Sequence, residues 1–323
     1  MTLFSTGEDP IDHSADIAFV LSNSIENFTL APAFPIDRLP VNDSSQLLNI
    51  TNFKFLISPP CSDDSYIIVV HSAPENYQRR HLIRTTWGSW LPLYFFFGET
   101  TAHQTLLDTE YAAYHDIVQG NFIDSYRNLT YKHTLVFKWV VYNCPHVRYV
   151  LKIDDDVFVN IAKLDKFLTQ TLSPYGTRDL LMCSYVWHHS AAERSNTSKW
   201  RVSVEEYPHE DYPNYCEGAA VVYSPDVLFK LYQMLQQDEK YFWIDDVFVT
   251  GIVFSQLNLR HAEFSWWRGH SILKANENDD DYLQYDPSRN LFVLIAAANY
   301  QHNRKKLVDY FLKMSTLETQ LRR

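Results

Sequence analysis

The chain has 323 residues, 46% apolar and 15% aromatic, enough for a large core, with only eight glycines and fourteen prolines, too few for collagen-like or low-complexity structure. By length it could hold two domains, although α/β chains of roughly 200 to 250 residues often form one. A formal net charge of −11 with no basic patch excludes a general nucleic-acid binder, whose phosphate contacts need Lys and Arg.

Residues 1–60 mix Ser, Asn, Asp and Pro without a sustained hydrophobic period and read as a stalk-like linker, leaving residues 61–323 as a single domain. Five sequons occur, at Asn27, Asn42, Asn49, Asn128 and Asn196, three of them crowded into 27–51. Cys61, Cys144, Cys183 and Cys216 stand far apart, and the absence of a CxxC pair argues against zinc. Sequons and cysteines together point to the lumen of the secretory pathway. No run approaches the ~20 apolar residues that span a bilayer. The nearest, "IAFVL" at 17–21, is too short even for a signal core. The chain is therefore expected to be soluble as it stands, or to lack an N-terminal anchor.

From Ser65 the texture changes. "SYIIVVHS" (65–72) reads as a buried strand, "PENYQRRHLIRTTWG" (74–88) as a helix closed by Gly88, and "PLYFFFG" (92–98) as a second strand. Helices follow at 102–116 and 129–144, the second carrying Leu135, Trp139 and Tyr142 on one face. "RYVLKI" (148–153) is a third strand and 161–172 another helix. Continuous apolar strands alternating with amphipathic helices imply a parallel sheet covered on both faces, whose ligands bind beyond the carboxyl ends of the strands. Further on, 180–186 and 219–224 read as strands, and 225–235, 246–257 and the basic tail 303–323 as helices.

The third strand runs into Asp154, Asp155 and Asp156. Capping a following helix needs one carboxylate oxygen, not three acids. Three adjacent carboxylates beside a buried strand need a positive partner, and hard oxygen donors suit Mg²⁺, Mn²⁺ or Ca²⁺. An EF-hand is excluded, because "DDDVFVNIAKLD" lacks its glycine and distant Glu. In "WIDDVFVTG" (243–251), Asp245 or Asp246 either caps a helix or faces a cleft as a general base, and one residue can do both. The acidic run at 279–281 reads as a solvated loop, and His270 as a ligand or a surface histidine.

In order along the chain, "SAPENYQRRHLIRTTWG", "DSYRNLTYKHT", "YVLKIDDDVFVN", "SKWRVSVEEYP", "YPNYCEGAAVVYSPDV" and "WIDDVFVTG" resemble the β-1,3-glycosyltransferase family of galactosyl- and N-acetylglucosaminyltransferases, more distantly similar to fringe proteins. The resemblance covers roughly residues 50 to 275. It implies a GT-A fold, an α/β architecture with a Rossmann-like, mostly parallel central sheet flanked by helices. It further implies a membrane-anchored Golgi enzyme that uses Mn²⁺ and inverts the anomeric centre. Such an enzyme moves a hexose or N-acetylhexosamine, galactose favoured, from a UDP-sugar to O3 of an acceptor glycan on glycoprotein or glycolipid. By the family pattern Arg80, Arg84, Lys152, Asp154 and Asp155 lie on the donor side, Asp156 binds the metal with His270 as a second candidate ligand, and Asp246 is the base. Trp200, Glu217 and Asp245 fall on the acceptor side. Asp245 stands where the family carries Glu, and "CEGAA" replaces the more usual "CSGGG".

Single inverting displacement needs one base and no second nucleophilic carboxylate, unlike a retaining glycosidase. Two alternatives keep the same residues: a non-catalytic UDP- or glycan-binding homologue, and a metal-dependent UDP-sugar phosphohydrolase. Cys61–Cys144 and Cys183–Cys216 are the preferred disulfides, since the first would tie the approach to the first strand to the helix before the Asp154 strand. Three pairings remain open on sequence alone.

Overall fold

The computed structural model describes residues 14–26, 34–237 and 240–264, together with the backbone of 272–275 and 292–295. Its strands in chain order are β1 (Phe55–Ile57), β2 (Tyr66–His71), β3 (Leu93–Glu99), β4 (Ile117–Ile123), β5 (Tyr149–Asp154), β6 (Val157–Val159), β7 (Leu181–Cys183), β8 (Val186–Trp187), β9 (Tyr215–Cys216), β10 (Ala220–Tyr223), β11 (Ala262–Glu263), β12 (Ile272–Ala275) and β13 (Phe292–Ile295). The helices are α1 (Ser14–Ser22), α2 (Tyr77–Thr85), α3 (Gln104–Tyr114), α4 (Leu129–Asn143), α5 (Ile161–Lys166), α6 (Pro225–Gln237) and the single turn α7 (Asp245–Val247). Both α5 and α7 run on into π-helical turns, Phe167–Leu172 and Phe248–Val253.

Eight strands form the central sheet in the order β1-β4-β3-β2-β5-β10-β7-β11. The pairings make β1 and β10 the strands that oppose the other six, so the mostly parallel α/β sheet expected from the sequence is present. Alternate residues of β2 enter opposite cores: Ile67 and Val69 pack with α4 and α6, while Ile68 and Val70 pack with α2 and α5. The chain winds from β2 through β3 to β4 in one direction and then places β5 on the other side of β2. Such a reversal opens a crevice at the strand ends. Register runs from Tyr66 opposite Tyr149 to His71 opposite Asp154, so His71 and Asp154 end side by side.

Helix α4 is buried from Thr130 to Val141 almost without interruption. Its Trp139 sits 4.4 Å from the Tyr94 ring and 5.6 Å from Phe96. Charged residues in such a helix must find partners. Lys132 donates to the Ser72 carbonyl (2.7 Å) and pairs with Asp124 (2.9 Å), His133 meets Asp245, and Lys138 meets Asp43.

That last pair corrects the expected linker. Phe34, Leu39, Leu47, Leu48 and Phe53 belong to the main core, and β1 pairs antiparallel with β4. Asp43 is buried, where it receives Lys138, the hydroxyls of Tyr142 (2.7 Å) and Tyr232 (2.5 Å), and the Gln236 amide (2.9 Å). Isolated apolar residues here plug separate gaps, so no period betrays them, and a buried charge fixes the segment. Residues 34–57 are thus part of the domain.

Both preferred disulfides, Cys61–Cys144 and Cys183–Cys216, are formed. Among the described residues, no helix is long and apolar enough to cross a membrane. The expected terminal helix 303–323, the acidic run 279–281 and His270 lie outside the described residues.

Candidate active site

The aspartate run breaks where β5 ends. Asp154 is the last strand residue, Asp155 and Asp156 make a turn, and β6 follows at Val157. The Asp155 N–H donates to the His71 carbonyl (3.0 Å), fastening this turn to the end of β2. The three carboxylates then take different environments. Asp155 points into the protein and accepts from Ser72 Oγ (2.7 Å), Asn76 Nδ2 (2.9 Å) and Arg79 Nη1 (2.7 Å). Asp154 is 43% exposed and paired with Lys152 Nζ at 2.8 Å. Asp156 is 29% exposed, with Arg79 at 3.5 Å. Burial, then the charges of Asp154 and Asp155, push the Asp156 carboxyl up to about 7 against the pull of Arg79.

Lys152, two residues before Asp154 and on the same face of β5, reaches both sides of the crevice. Its buried ammonium donates to Asp154 Oδ1 (2.8 Å) and to the Gly218 carbonyl (2.7 Å). Burial would discharge it, but Asp154, Asp245 and Asp246 outweigh that and hold it protonated. Gly218 in turn donates its N–H to Asp246 Oδ2 at 3.1 Å. A Cβ on Gly218 would lie 2.0 Å from Asp246 Oδ1, so this position must be glycine for the carboxylate to stand where it does. Burial, followed by the charge of Asp245, raises the Asp246 carboxyl well above its ordinary value; Lys152 opposes this. The π-helical turn after Asp246 adds a second brace. Thr250 Oγ1 donates to the Asp246 carbonyl (2.6 Å) and accepts from the Cys216 N–H (2.9 Å).

Asp245 is buried against α4. Its Oδ2 lies 2.9 Å from His133 Nδ1 and 4.0 Å from His71 Nδ1. Burial favours the charged form of neither histidine, and both are depressed. Burial also raises Asp245, but the His133 hydrogen bond and Lys152 overcome this and keep it ionised. The chemistry fixes the tautomer: His133 donates from Nδ1 to Asp245 and accepts at Nε2 from the Tyr223 hydroxyl (3.1 Å). Asp245 is therefore a fixed negative charge beside Asp246.

Arg80 and Arg84 do not reach the aspartates. All five N–H groups of Arg80 are engaged, by Glu110 (2.9 and 2.5 Å), Ser72 Oγ and the carbonyls of Ala73 and Pro74. Arg84 is held by Asp116 (2.7 and 2.9 Å) and Glu110 (2.8 Å). Arg80 thus braces the loop after β2 from behind, while Arg84 joins Glu110 to Asp116. Arg79, their neighbour, is the arginine on the aspartates; the doubled "RR" in the sequence carries both jobs, and only the helix phase tells them apart.

Glu217 adjoins Gly218, and its N–H donates to the Tyr185 carbonyl (2.8 Å). Tyr185 and Trp187, 47% and 39% exposed, pack edge to face on the small β8–β9 sheet that Cys183–Cys216 ties to β7. Trp200 is half-exposed, with the Lys199 ammonium 4.4 Å from its ring and 5.5 Å from that of Tyr126. Burial, with the charges of Asp246, Asp245 and Asp154 and against the Trp200 hydrogen bond, pushes the Tyr126 hydroxyl up to about 12. Among the described residues no group of three or more His, Cys, Asp or Glu side chains converges as a metal cage.

A family model described as Galactosyltransferase matches residues 78–265, more than half of the chain. Among curated relatives, the rat lactosylceramide 1,3-N-acetyl-beta-D-glucosaminyltransferase is 37% identical over 198 residues, covering 57% of this chain and 52% of that protein. The human protein of the same name is 34% identical over 231 residues, 65% of this chain and 61% of its own length. Human beta-1,3-galactosyltransferase 2 is 32% identical over 242 residues, 68% and 56% respectively. The chain thus spans between about half and three fifths of these relatives. Among solved structures, a glycosyltransferase involved in glycosylation of the PBCV-1 major capsid aligns with a TM-score of 0.40 at 13% identity, over 78% of this chain and 99% of that one.

Proposed function

The chain belongs to the galactosyltransferase family, and from that premise we propose that it is an inverting β-1,3-glycosyltransferase, moving a hexose or N-acetylhexosamine from a UDP-sugar to O3 of an acceptor glycan. The observation that supports this best is the unbroken chain of contacts Asp154–Lys152–Gly218–Asp246, which joins the aspartates at the strand ends to one basic carboxylate on the far side of the crevice.

In this reading Asp246 accepts the proton of the acceptor O3 as that oxygen forms its bond to C1 and the bond from C1 to the diphosphate breaks. Its high proton affinity, enforced by the neighbouring Asp245 charge, suits that transfer. Gly218 N–H orients the carboxylate, and Lys152 keeps the ground-state charge of the crevice in balance. Asp155, Asn76 and Arg79 hold the aspartate turn rigid.

Asp154 and Asp156 offer partly exposed hard oxygens, a donor set that fits a divalent cation completed by diphosphate oxygens and water. Mn²⁺ is the expected ion, and when bound it would offset charge on the departing UDP. The exposed rings of Trp200, Tyr185 and Trp187 suit the apolar face of an acceptor sugar. The relatives divide between galactosyl- and N-acetylglucosaminyltransferases, and galactose is the donor expected from sequence. Two disulfides support a secretory-pathway lumen, the Golgi by family.

The test incubates the protein with each UDP-sugar, Mn²⁺ and a panel of β-glycosides, reading UDP and linked product, beside matched reactions with chelator or Asp246→Asn. Product from one donor, lost in both controls while UDP binding persists in the variant, is expected. UDP release that no acceptor accelerates would indicate a phosphohydrolase, and Mn²⁺-dependent UDP binding without turnover a binding protein.

A further inference from the structure

Four of the five sequons fall within the described residues, and their side chains are not equivalent. Asn128 stands at the entry to α4, where its Nδ2 donates to the Ile123 carbonyl (2.8 Å). The hydroxyl of the same sequon, on Thr130, is fully buried and donates to the Phe242 carbonyl (2.6 Å). Asn42 gives its Nδ2 to Gln46 (3.1 Å), and the residue inside its sequon, Asp43, is locked in the buried Lys138 cluster. Asn49 is exposed, but its amide oxygen takes the Tyr131 hydroxyl at 2.6 Å, which holds the side chain against α4.

Asn196 differs from all three. It is exposed, and among the described residues its amide has no hydrogen-bond partner. The turn that carries it is closed locally by Ser198 N–H to the Ser195 carbonyl (3.1 Å) and by a Ser195–Thr197 hydroxyl contact (2.9 Å). Ser198, the hydroxyl of the sequon, accepts from the Trp200 N–H (3.2 Å), which leaves its own O–H free to point outward. The base of the loop is firm: Arg194 donates to the carbonyls of Val202, Ser203, Tyr207 and His209 at 2.7 to 3.0 Å. A bulky substituent at Asn196 therefore enters water without displacing a native contact.

We propose that Asn196 is an N-glycosylation site. Resting on the secretory-pathway reading above, the modification uses a lipid-pyrophosphate-linked oligosaccharide as co-substrate. The Asn196 Nδ2 forms a bond to the sugar C1, the bond from C1 to the pyrophosphate oxygen breaks, one amide proton passes to a base of the transferring enzyme, and the lipid pyrophosphate leaves. Trp200 lies only four residues on, at most about 14 Å along the chain, so the glycan stands on the loop that bears an acceptor-side aromatic.

The test expresses the full chain behind a secretion leader in eukaryotic cells, which imposes the compartment. The secreted protein is deglycosylated enzymatically in heavy-oxygen water and each sequon is read by mass spectrometry. Asn196 is expected to carry the label in most molecules, and Asn196→Gln and Ser198→Ala are each expected to remove one glycan's mass without changing secreted yield or circular dichroism. An unlabelled Asn196 in folded, secreted protein overturns the proposal, as does unchanged mass in both variants. Because occupancy does not depend on turnover, transferase assays on the same preparation judge the proposed activity separately.

Discussion

Replacing Gly218 with alanine puts the placement of Asp246 to a direct test. The new methyl would sit 2.0 Å from Oδ1, 2.4 Å from Cγ and 2.5 Å from Oδ2 of Asp246, where ordinary contact begins at 3.4 Å. The carboxylate must retreat by about 1.4 Å and give up its 3.1 Å bond from the Gly218 N–H. Misplacing a catalytic group by ~1 Å costs on the order of 10²-fold in rate, or roughly 2.7 kcal/mol of barrier. Gly218→Ala is thus expected to lower kcat by about 10²-fold or more. Donor affinity should hold, because Asp155, Asn76 and Arg79 keep the aspartate turn in place. Initial rates with saturating donor and acceptor, beside calorimetric UDP binding, separate the two effects. Adding Gly218→Ala to Asp246→Asn should then cost little further. A Gly218→Ala enzyme within threefold of the native kcat would refute the reasoning.

Asp43→Ala leaves Lys138 buried without its counter-charge and strands Tyr142, Tyr232 and Gln236, so a stability loss of about 3–5 kcal/mol is expected. It should appear as a lower melting temperature, with unchanged kcat at low temperature. Asp156 makes stability depend on pH. Its folded value of about 7 lies above its ordinary 3.8, so its contribution is full below pH ~4 and lost as pH rises through about 7. Melting curves in chelator should therefore fall from pH 5 to pH 8, and Mn²⁺ should restore stability at the upper end; identical curves with and without the ion would count against cation binding there. Lys152→Met removes the ammonium that Asp154 and Gly218 share, and is expected to reduce kcat and UDP affinity together, as rates and calorimetry would read.

The strands and helices that carry continuous apolar runs were legible in the sequence, and with them the position of Asp154–Asp156 at a strand end. The two disulfides match the preferred pairs, but spacing alone left three pairings open. Strand β4 was not legible, since Gln119 and Gly120 interrupt its apolar run; Gln119 is buried by bonding to Gln104 and the Gly98 carbonyl. Residues 34–57 were hidden for a related reason, their hold on the core being a few separate apolar plugs and one buried aspartate. At the site, a motif could name Asp246 but not its neighbours in space. His133 is 112 residues from Asp245 along the chain, and the one sequence cue was a run of polar residues, Lys132 to Thr134, inside an otherwise apolar helix. Arg80 and Arg84 pair with Glu110 and Asp116, because a guanidinium in a motif does not say which carboxylate it faces.

Lys152 has a consequence for anyone wishing to redesign this protein. A glycosyltransferase invites treatment as two modules, one choosing the sugar and one choosing what receives it. In the proposed reading, a single buried ammonium is grasped by Asp154 at 2.8 Å on the donor side and by the Gly218 carbonyl at 2.7 Å on the acceptor side. Altering charge around Asp154 to admit a different donor changes the pull on Lys152, and through the Gly218 peptide that change arrives at Asp246. Substitutions on the two sides will therefore not combine by simple addition, and donor and acceptor preferences have to be optimised jointly.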